Sequence, residues 1–260
     1  ERALAMGFYN GGVSIGAILA PFAVPFVILL TGHWRWVFAV SGLLSLPWVY
    51  FWWKSYHAPS RHPRVSAEEL ELINRDKIKA PARRSFAVLK TKAFWGLFAA
   101  RMITSPVWFF ISYWIFNYLN REFGFNLATM AAVAWIPFVT SDLGNILGGY
   151  LSGKLIALGK RPMSARKTLM GLGAVLMTAN GFAAFAHNAV LAIALISLLT
   201  LAWGIWVSNM LGLVSDSFPS SEVATVMSWT GLGQYAGSVV FTWFIGYALD
   251  NFGMGYVPVF

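Results

Sequence analysis

Long apolar stretches alternate with short polar ones along most of this chain. Because a helix that crosses a membrane needs about 20 mostly apolar residues, the pattern predicts seven spanning helices. The seven runs are Ala3–Thr31, Trp34–Trp53, Phe94–Tyr118, Leu127–Leu155, Thr168–His187, Ala189–Val214 and Val223–Leu249. Neighbouring helices can satisfy a carbonyl that a proline leaves free, so internal prolines predict kinks rather than helix ends. These prolines are Pro21, Pro25, Pro106 and Pro137.

Residues 54–92 interrupt the apolar pattern with many lysines and arginines. We interpret this segment as a connector outside the membrane. Within it, Ser66 and Glu69 have the spacing of a capping box, in which each side chain bonds the other residue's N–H group. The segment is therefore expected to contain a short amphipathic helix, which Pro81 ends.

The composition agrees with an integral membrane protein. The 260 residues are 58% hydrophobic and only 11% charged, whereas a soluble domain has about 25% charged residues. There is no cysteine, which excludes disulfides, thiolate catalysis and Cys-ligated metal sites.

Basic residues are concentrated in alternate connections. Besides residues 54–92, the connection after the fourth run is basic, and it holds Lys154, Lys160, Arg161, Arg166 and Lys167. The loops that alternate with these two connections carry few basic residues, such as Arg35 and Arg121. Since cytoplasmic loops are enriched in Lys and Arg, the two basic connections are predicted to face the cytoplasm. Orientation, rather than a nucleic-acid partner, then explains the net charge of +9.

Residues 1–17 and 222–238 align without a gap and suggest an internal repeat. Gly12 aligns with Gly233 and Gly16 with Gly237. Small residues four apart allow two helices to approach closely. Both copies would run outward from the cytoplasm, so the repeat is predicted to be parallel.

Four stretches, taken in order, resemble a known family. They are ERALAMGFYNGGVSIGAILAP, SAEELELI followed by FWGLFAARMITSPVWFFISYWIFNYL, WIPFVTSDLGNILGGYLSGKLIALG before Arg166 and Lys167, and SDSFPSSEVATV. The chain resembles the anion:cation symporters of the major facilitator superfamily, and within them the bacterial hexuronate and related sugar-acid transporters.

The resemblance implies an all-α membrane protein with the major facilitator fold, of which this chain would be helices five to eleven of twelve. Residues 1–53 would be the end of the N-terminal bundle, and residues 54–92 would form the cytoplasmic connector. Residues 93–260 would form the C-terminal bundle without its last helix. Two positions depart from the family pattern. Gly153 stands where an acid is usual, which weakens any gating salt bridge there, and Phe116 replaces a proline.

Charged residues inside a membrane are costly and suggest function. Arg101 and Asp142 are such residues. Arg101 could bind substrate or a helix, or extend to the interface. Asp142 could bond a neighbouring helix or Arg101, or carry a proton. The resemblance places the usual coupling acid and anion-binding arginine in first-half helices outside this chain.

A sugar acid requires cationic or N–H groups, hydroxyl and amide partners, and flat aromatic rings. The candidate substrate-binding residues are Asn10, Ser14, Trp108, Tyr113, Asn117, Asn145, Ser208, Asn209, Gln234 and Tyr235. The repeat pairs Ser14 with Tyr235 and Val13 with Gln234, which favours these positions. Each polar candidate could instead form a hydrogen bond between helices. The sequence contains no catalytic or metal-binding motif, so we expect no catalytic residue, metal or cofactor.

The resemblance implies a secondary transporter that imports an organic anion with protons by alternating access. The expected substrate is a hexuronate such as galacturonate or glucuronate. The protein is expected to be located in a bacterial inner membrane and to be monomeric. Alternatives are another sugar acid, a small aromatic acid, or a membrane-embedded enzyme. An enzyme would cluster acids or histidines at one membrane face, a pattern that the sequence does not show.

Overall fold

Helices account for most of the described chain. The computed structural model describes residues 2–57, 60, 62–63, 65–75, 86–178 and 186–251, with side chains except at residues 2–14, 17–18, 72–75, 127, 220 and 248–251. The α-helices are α1 (Arg2–Thr31), α2 (Arg35–Ser55), α3 (Ala67–Arg75), α4 (Lys92–Phe123), α5 (Leu127–Val133), α6 (Ile136–Ala157), α7 (Pro162–Thr178), α8 (Ala189–Ser217) and α9 (Ser220–Asn251). A 3₁₀ helix covers Phe86–Lys90. The predicted all-α class is confirmed.

Four helical stretches in the described residues are long and apolar enough to cross a membrane. They are α2, α4, the stretch Ala128–Ala157 and α8. The other predicted runs overlap α1, α7 and α9. The helix α9 has 32 residues but is not among these four, because its glycine, hydroxyl and amide side chains lower its hydropathy. The multi-pass membrane class predicted from the apolar runs is confirmed.

The fourth run is divided, which corrects the expectation of a simple kink at Pro137. Here α5 ends at Val133 and α6 begins at Ile136, with Pro137 in its first turn. Proline lacks an N–H group and its ring clashes with the carbonyl four residues earlier, so the helical hydrogen bonding is interrupted at this point. By contrast, Pro106 lies inside α4, which continues through it.

Side chains and turns at the helix ends satisfy free backbone groups. Asn126 and Asn188 accept hydrogen bonds from backbone N–H groups three residues on, at 3.0 and 2.8 Å. In the connector, the Glu69 N–H donates to Ser66 Oγ at 3.1 Å, which confirms the predicted start of a helix there. Pro81 lies outside the described residues.

The chain divides into two compact units, residues 1–21 with 84–260, and residues 22–83. In the first, α8 packs against α6 and α7, and α4 packs against α9. Its core is formed by side chains at most 2% exposed, among them Phe94, Ile111, Ile115, Leu119, Ile196, Leu199, Met210, Val214, Val226 and Ile245.

The second unit contains α2, α3 and the end of α1. No residue of α2 is buried, and large aromatic side chains such as Trp48, Phe51 and Trp53 are exposed along it. A contiguous apolar surface of this kind marks contact with lipid or with another protein.

Candidate functional site

A cavity of about 250 Å³ lies between α4, α6, α8 and α9 within the first unit. It is lined by Arg101, Ser105, Trp108, Ser141, Asp142, Asn145, Trp203, Trp206, Val207, Met210, Leu211 and Gln234. Arg101 and Asp142 are the charged residues in this lining. The two intramembrane charges that the sequence singled out therefore share one cavity.

Glycines allow α4 and α9 to approach closely beside the cavity. A Cβ atom on Gly233 would lie 2.6 Å from the Phe98 ring, and one on Gly237 would collide with the backbone oxygen of Met102. Close packing is thereby confirmed at these two repeat positions. At the aligned Gly16, an added Cβ would have no described atom within 4 Å.

Glycines of α6 have two different surroundings. A Cβ atom on Gly144 would collide with a backbone oxygen of α8, and one on Gly148 would lie 2.8 Å from a Cα atom of α8. Gly149 and Gly153 would each have nothing within 4 Å among the described atoms. Close packing on α8 is thus shown for Gly144 and Gly148.

Two side chains of α9 hold the guanidinium of Arg101. Its Nε donates to Gln234 Oε1 at 2.6 Å and its Nη1 donates to Thr230 Oγ1 at 3.2 Å. Thr230 is fully buried and donates its own hydroxyl to the Val226 carbonyl at 2.8 Å. The structure thus shows the helix contact, one of the alternatives for Arg101. A guanidinium has five N–H donors, so three have no partner among the described residues.

Aromatic rings form one wall of the cavity. The rings of Trp108 and Trp203 are stacked, with centroids 4.5 Å apart and planes 15° from parallel. The edge of Phe138 packs against Trp108, at a centroid distance of 5.9 Å and an angle of 88°. This packing fixes the orientation of the tryptophan surface that a ligand would meet.

Two buried polar atoms in the cavity lining have no hydrogen-bond partner among the described residues. They are the acceptor Oδ1 of Asn145 and the donor Nε1 of Trp203. Because most buried polar groups in folded proteins are hydrogen-bonded, such a pair is typical of a site that a polar ligand or water completes.

The structure brings some of the predicted residues together and not others. Trp108, Asn145 and Gln234 line the cavity with Arg101 and Asp142. The candidates outside the cavity lining are Tyr113, Asn117, Ser208, Asn209 and Tyr235. The side chains of Asn10 and Ser14 lie outside the described part.

The candidates outside the lining have other surroundings. Tyr113 and Tyr235 are 63% and 61% exposed, and both rings contact Phe109. Asn209 is fully buried and donates to the Gly148 carbonyl of α6 at 3.1 Å. For Asn209, the interhelical alternative is the one that the structure shows.

Sequence reasoning missed several lining and supporting residues, including Trp203, Ser105, Ser141 and Thr230. Thr230 lies four residues before Gln234, which places both on one helix face, so this spacing could have identified it. The structure also pairs Arg166 Nε of α7 with Asp216 Oδ2 of α8. Asp216 is therefore the acidic partner of Arg166 in the described part of the chain.

Comparison with known proteins agrees with this architecture. The family model of the Major Facilitator Superfamily matches residues 1–242. A hexuronate transporter of Escherichia coli K12 is 33% identical over 267 aligned residues, covering 100% of this chain and 61% of the relative. A galacturonate transporter of Dickeya chrysanthemi is 34% identical over 188 residues, covering 70% of the chain and 54% of the relative.

A D-galactonate transporter of Escherichia coli O6:H1 is 27% identical over 271 residues, covering 97% of the chain and 61% of the relative. The chain thus spans about three fifths of the length of the hexuronate transporter. Each of these relatives is named as a transporter. With its apolar helices and its match over residues 1–242, the chain belongs to the major facilitator superfamily.

Proposed function

We propose that this chain is part of a secondary active transporter that imports a hexuronate, such as galacturonate or glucuronate, with protons by alternating access. The observation that carries the proposal is the polar cavity in which Arg101 is held by Gln234 and Thr230. The resemblance of the chain to relatives named for hexuronate and galacturonate supports the substrate class.

Arg101 would bind the carboxylate of the substrate. Its contacts with α9 use Nε and one N–H of Nη1, so the remaining donors are on Nη1 and Nη2. A guanidinium can bind a carboxylate through two parallel N–H donors. Since Gln234 and Thr230 already orient the group, little side-chain entropy would be lost on binding.

The remaining lining suits a single sugar unit. The stacked rings of Trp108 and Trp203 offer a flat apolar surface for sugar C–H groups. Asn145 Oδ1 and Trp203 Nε1 provide an acceptor and a donor for hydroxyls. The volume of about 250 Å³ is below the roughly 300–1,000 Å³ of pockets for drug-sized ligands, which favours a monosaccharide over a longer saccharide.

The proposal also includes the membrane location and the orientation of the protein. The protein would lie as a monomer in a bacterial inner membrane, with residues 54–92 as the cytoplasmic connector between the bundle ending at residue 53 and the bundle starting at residue 93. The excess of Lys and Arg in that connector supports its orientation. The acid that couples protons to transport would lie in helices other than those described.

Uptake by the full-length natural protein that contains this chain tests the proposal. In proteoliposomes, labelled galacturonate should accumulate when the outside is acidic, and Arg101→Gln should reduce uptake at least about tenfold, because a buried charged hydrogen bond is lost. Arg121→Gln, at the exposed end of α4, is the matched control and should transport normally. Uptake independent of the proton gradient would contradict symport, and no uptake of any hexuronate would contradict the substrate class.

A further inference from the structure

We propose that Thr230 and Gln234 of α9 are positioning residues, which hold Arg101 of α4 ready for a substrate carboxylate without neutralising its charge. The proposal rests on the proposed function of the same cavity, and it adds how the rest of the bundle gives Arg101 its affinity for an anion. In this role Gln234 acts through Arg101, as an alternative to binding the substrate itself.

Two hydrogen bonds from α9 restrain the guanidinium of Arg101. Gln234 Oε1 accepts from Nε at 2.6 Å, and Thr230 Oγ1 accepts from Nη1 at 3.2 Å. Because the guanidinium is a rigid plane, bonds to two of its nitrogens restrict both its position and its rotation. A flexible side chain loses conformational freedom when it binds a ligand, so a guanidinium that is already held binds a carboxylate more tightly.

The surroundings of Thr230 restrict its hydroxyl to this task. Thr230 is fully buried and is not part of the cavity lining. Its hydroxyl proton is donated within α9, to the Val226 carbonyl at 2.8 Å. Since a hydroxyl has only one proton to donate, its oxygen acts toward Arg101 as an acceptor. Thr230 can therefore influence a ligand in the cavity only through Arg101.

The two α9 groups that hold Arg101 are neutral. A threonine hydroxyl and a glutamine amide oxygen accept an N–H bond without carrying a negative charge. A carboxylate in either place would form an ion pair with the guanidinium and would compete with an anionic ligand for it. An anion-binding site therefore favours glutamine over glutamate at position 234, although the two side chains have the same length.

Close packing of α4 on α9 places these acceptors within reach of Arg101. Gly233 lies against the ring of Phe98, and Gly237 lies against the backbone of Met102. Phe98 and Met102 precede and follow Arg101 along α4. The absence of a Cβ atom at both glycines lets the two helices approach closely on either side of Arg101, which keeps it next to α9.

Equilibrium binding of labelled galacturonate to the purified full-length natural protein tests the proposal. Thr230→Val keeps the shape of the side chain without its hydroxyl, and Gln234→Leu removes the amide acceptor. Each variant should bind about 2–10-fold more weakly, because Arg101 loses one of its two restraints. Gln234→Glu should bind at least about tenfold more weakly, since the new carboxylate neutralises the guanidinium.

Two further variants separate the loss of the hydroxyl from a loss of packing. Thr230→Ser keeps the hydroxyl and should bind galacturonate as the unmodified protein does. The matched control is Ser228→Ala on the same helix, which removes an exposed hydroxyl that bonds the Ala224 carbonyl at 2.8 Å. It should leave the affinity unchanged. Equal losses in Thr230→Val and Thr230→Ser would overturn the positioning role of Thr230.

A double variant distinguishes positioning from direct contact with the substrate. If Gln234 acts through Arg101, the addition of Gln234→Leu to Arg101→Gln should cause no further loss of affinity, because the two residues belong to one interaction. A further loss as large as that of Gln234→Leu alone would show that Gln234 binds the substrate itself, and would overturn its positioning role.

The outcomes separate this proposal from the proposed function. Unchanged affinity for galacturonate in both Thr230→Val and Gln234→Glu, with weaker binding in Arg101→Gln, overturns the positioning of Arg101 by α9 and leaves the proposed function intact. If the unmodified protein does not bind galacturonate, the proposed function fails and this proposal fails with it.

Discussion

Similar polar residues have different surroundings at the interface between α6 and α8 and in the cavity beside it. At the interface, Asn209 donates both amide N–H groups to backbone carbonyls, those of Gly148 at 3.1 Å and Ile205 at 2.8 Å. In the cavity, Asn145 Oδ1 and Trp203 Nε1 have no partner among the described residues. Asn209 Oδ1 is also without one, but Asn209 is fully buried and is not part of the cavity lining.

This difference suggests how to distinguish packing residues from ligand-binding residues in a membrane bundle. A polar side chain that bonds a neighbouring helix contributes to helix association, at about 0.6 kcal/mol on average in one measured bundle. A polar side chain that lines a cavity with donors or acceptors unused would be available to a ligand instead. Residue type does not separate the two, and neither does an unused acceptor, since Asn209 Oδ1 also has no described partner. The position in the cavity lining does.

The largest effect is expected where α6 and α8 touch. Gly148→Ala would place a methyl group 2.8 Å from a Cα atom of α8, and overpacking of this kind costs about 1–3 kcal/mol. At about 2–4 °C per kcal/mol, the Tm of the purified full-length protein in detergent should fall by several degrees.

The neighbouring Gly149→Ala is the matched control for that change. An added Cβ there meets no described atom within 4 Å, and alanine favours a helix over glycine by about 1 kcal/mol. Its Tm should stay equal or rise slightly. Equal losses at both positions would show that the close contact between α6 and α8 is not what stabilises this part of the bundle.

Exchanging the two asparagines for alanine tests the comparison directly. Asn209→Ala removes one hydrogen bond across the interface, to Gly148, and one within α8, to Ile205. The Tm should therefore decrease, with about 0.5–1.5 kcal/mol lost per bond. Asn145→Ala should leave the Tm unchanged and weaken galacturonate binding about 2–10-fold, because it removes an acceptor for the ligand. The measurements are thermal unfolding and equilibrium binding on each variant. The opposite pattern, with binding lost in Asn209→Ala and stability lost in Asn145→Ala, would contradict the division into interface and cavity.

The smallest effect is expected at the ion pair between Arg166 and Asp216. The two side chains are 14% and 30% exposed, and exposed pairs contribute about 0.2–1 kcal/mol. Asp216→Asn should therefore lower the Tm by no more than a few degrees, and added salt should shrink the difference from the unmodified protein. The double variant Arg166→Asp with Asp216→Arg should recover part of the loss. A larger loss in the double variant than in the single one would indicate that neighbouring charges, and not the pair itself, determine the effect.

Several site residues could be predicted from the sequence because a single property identified them. A charge in an apolar run is conspicuous, and both Arg101 and Asp142 line the cavity. The polar candidates were harder to assign. Gln234 and Asn145 line the cavity, whereas Ser208, Asn209 and Asn117 do not, although all five are polar residues in apolar runs. Trp203 was missed because one more tryptophan in an aromatic-rich chain carries no distinguishing signal.

The sequence by itself determined the class of the protein, its helical content and its candidate charges. These follow from the length and hydropathy of each run, and from the cost of placing a charge in hydrocarbon. The tertiary structure decided which face of each helix meets the cavity, that Arg101 bonds α9, and that Gly148 but not Gly149 contacts α8. The physical reason is that lipid is about as apolar as the protein core. A spanning helix therefore shows little contrast between its faces, and only its neighbours reveal how it is rotated.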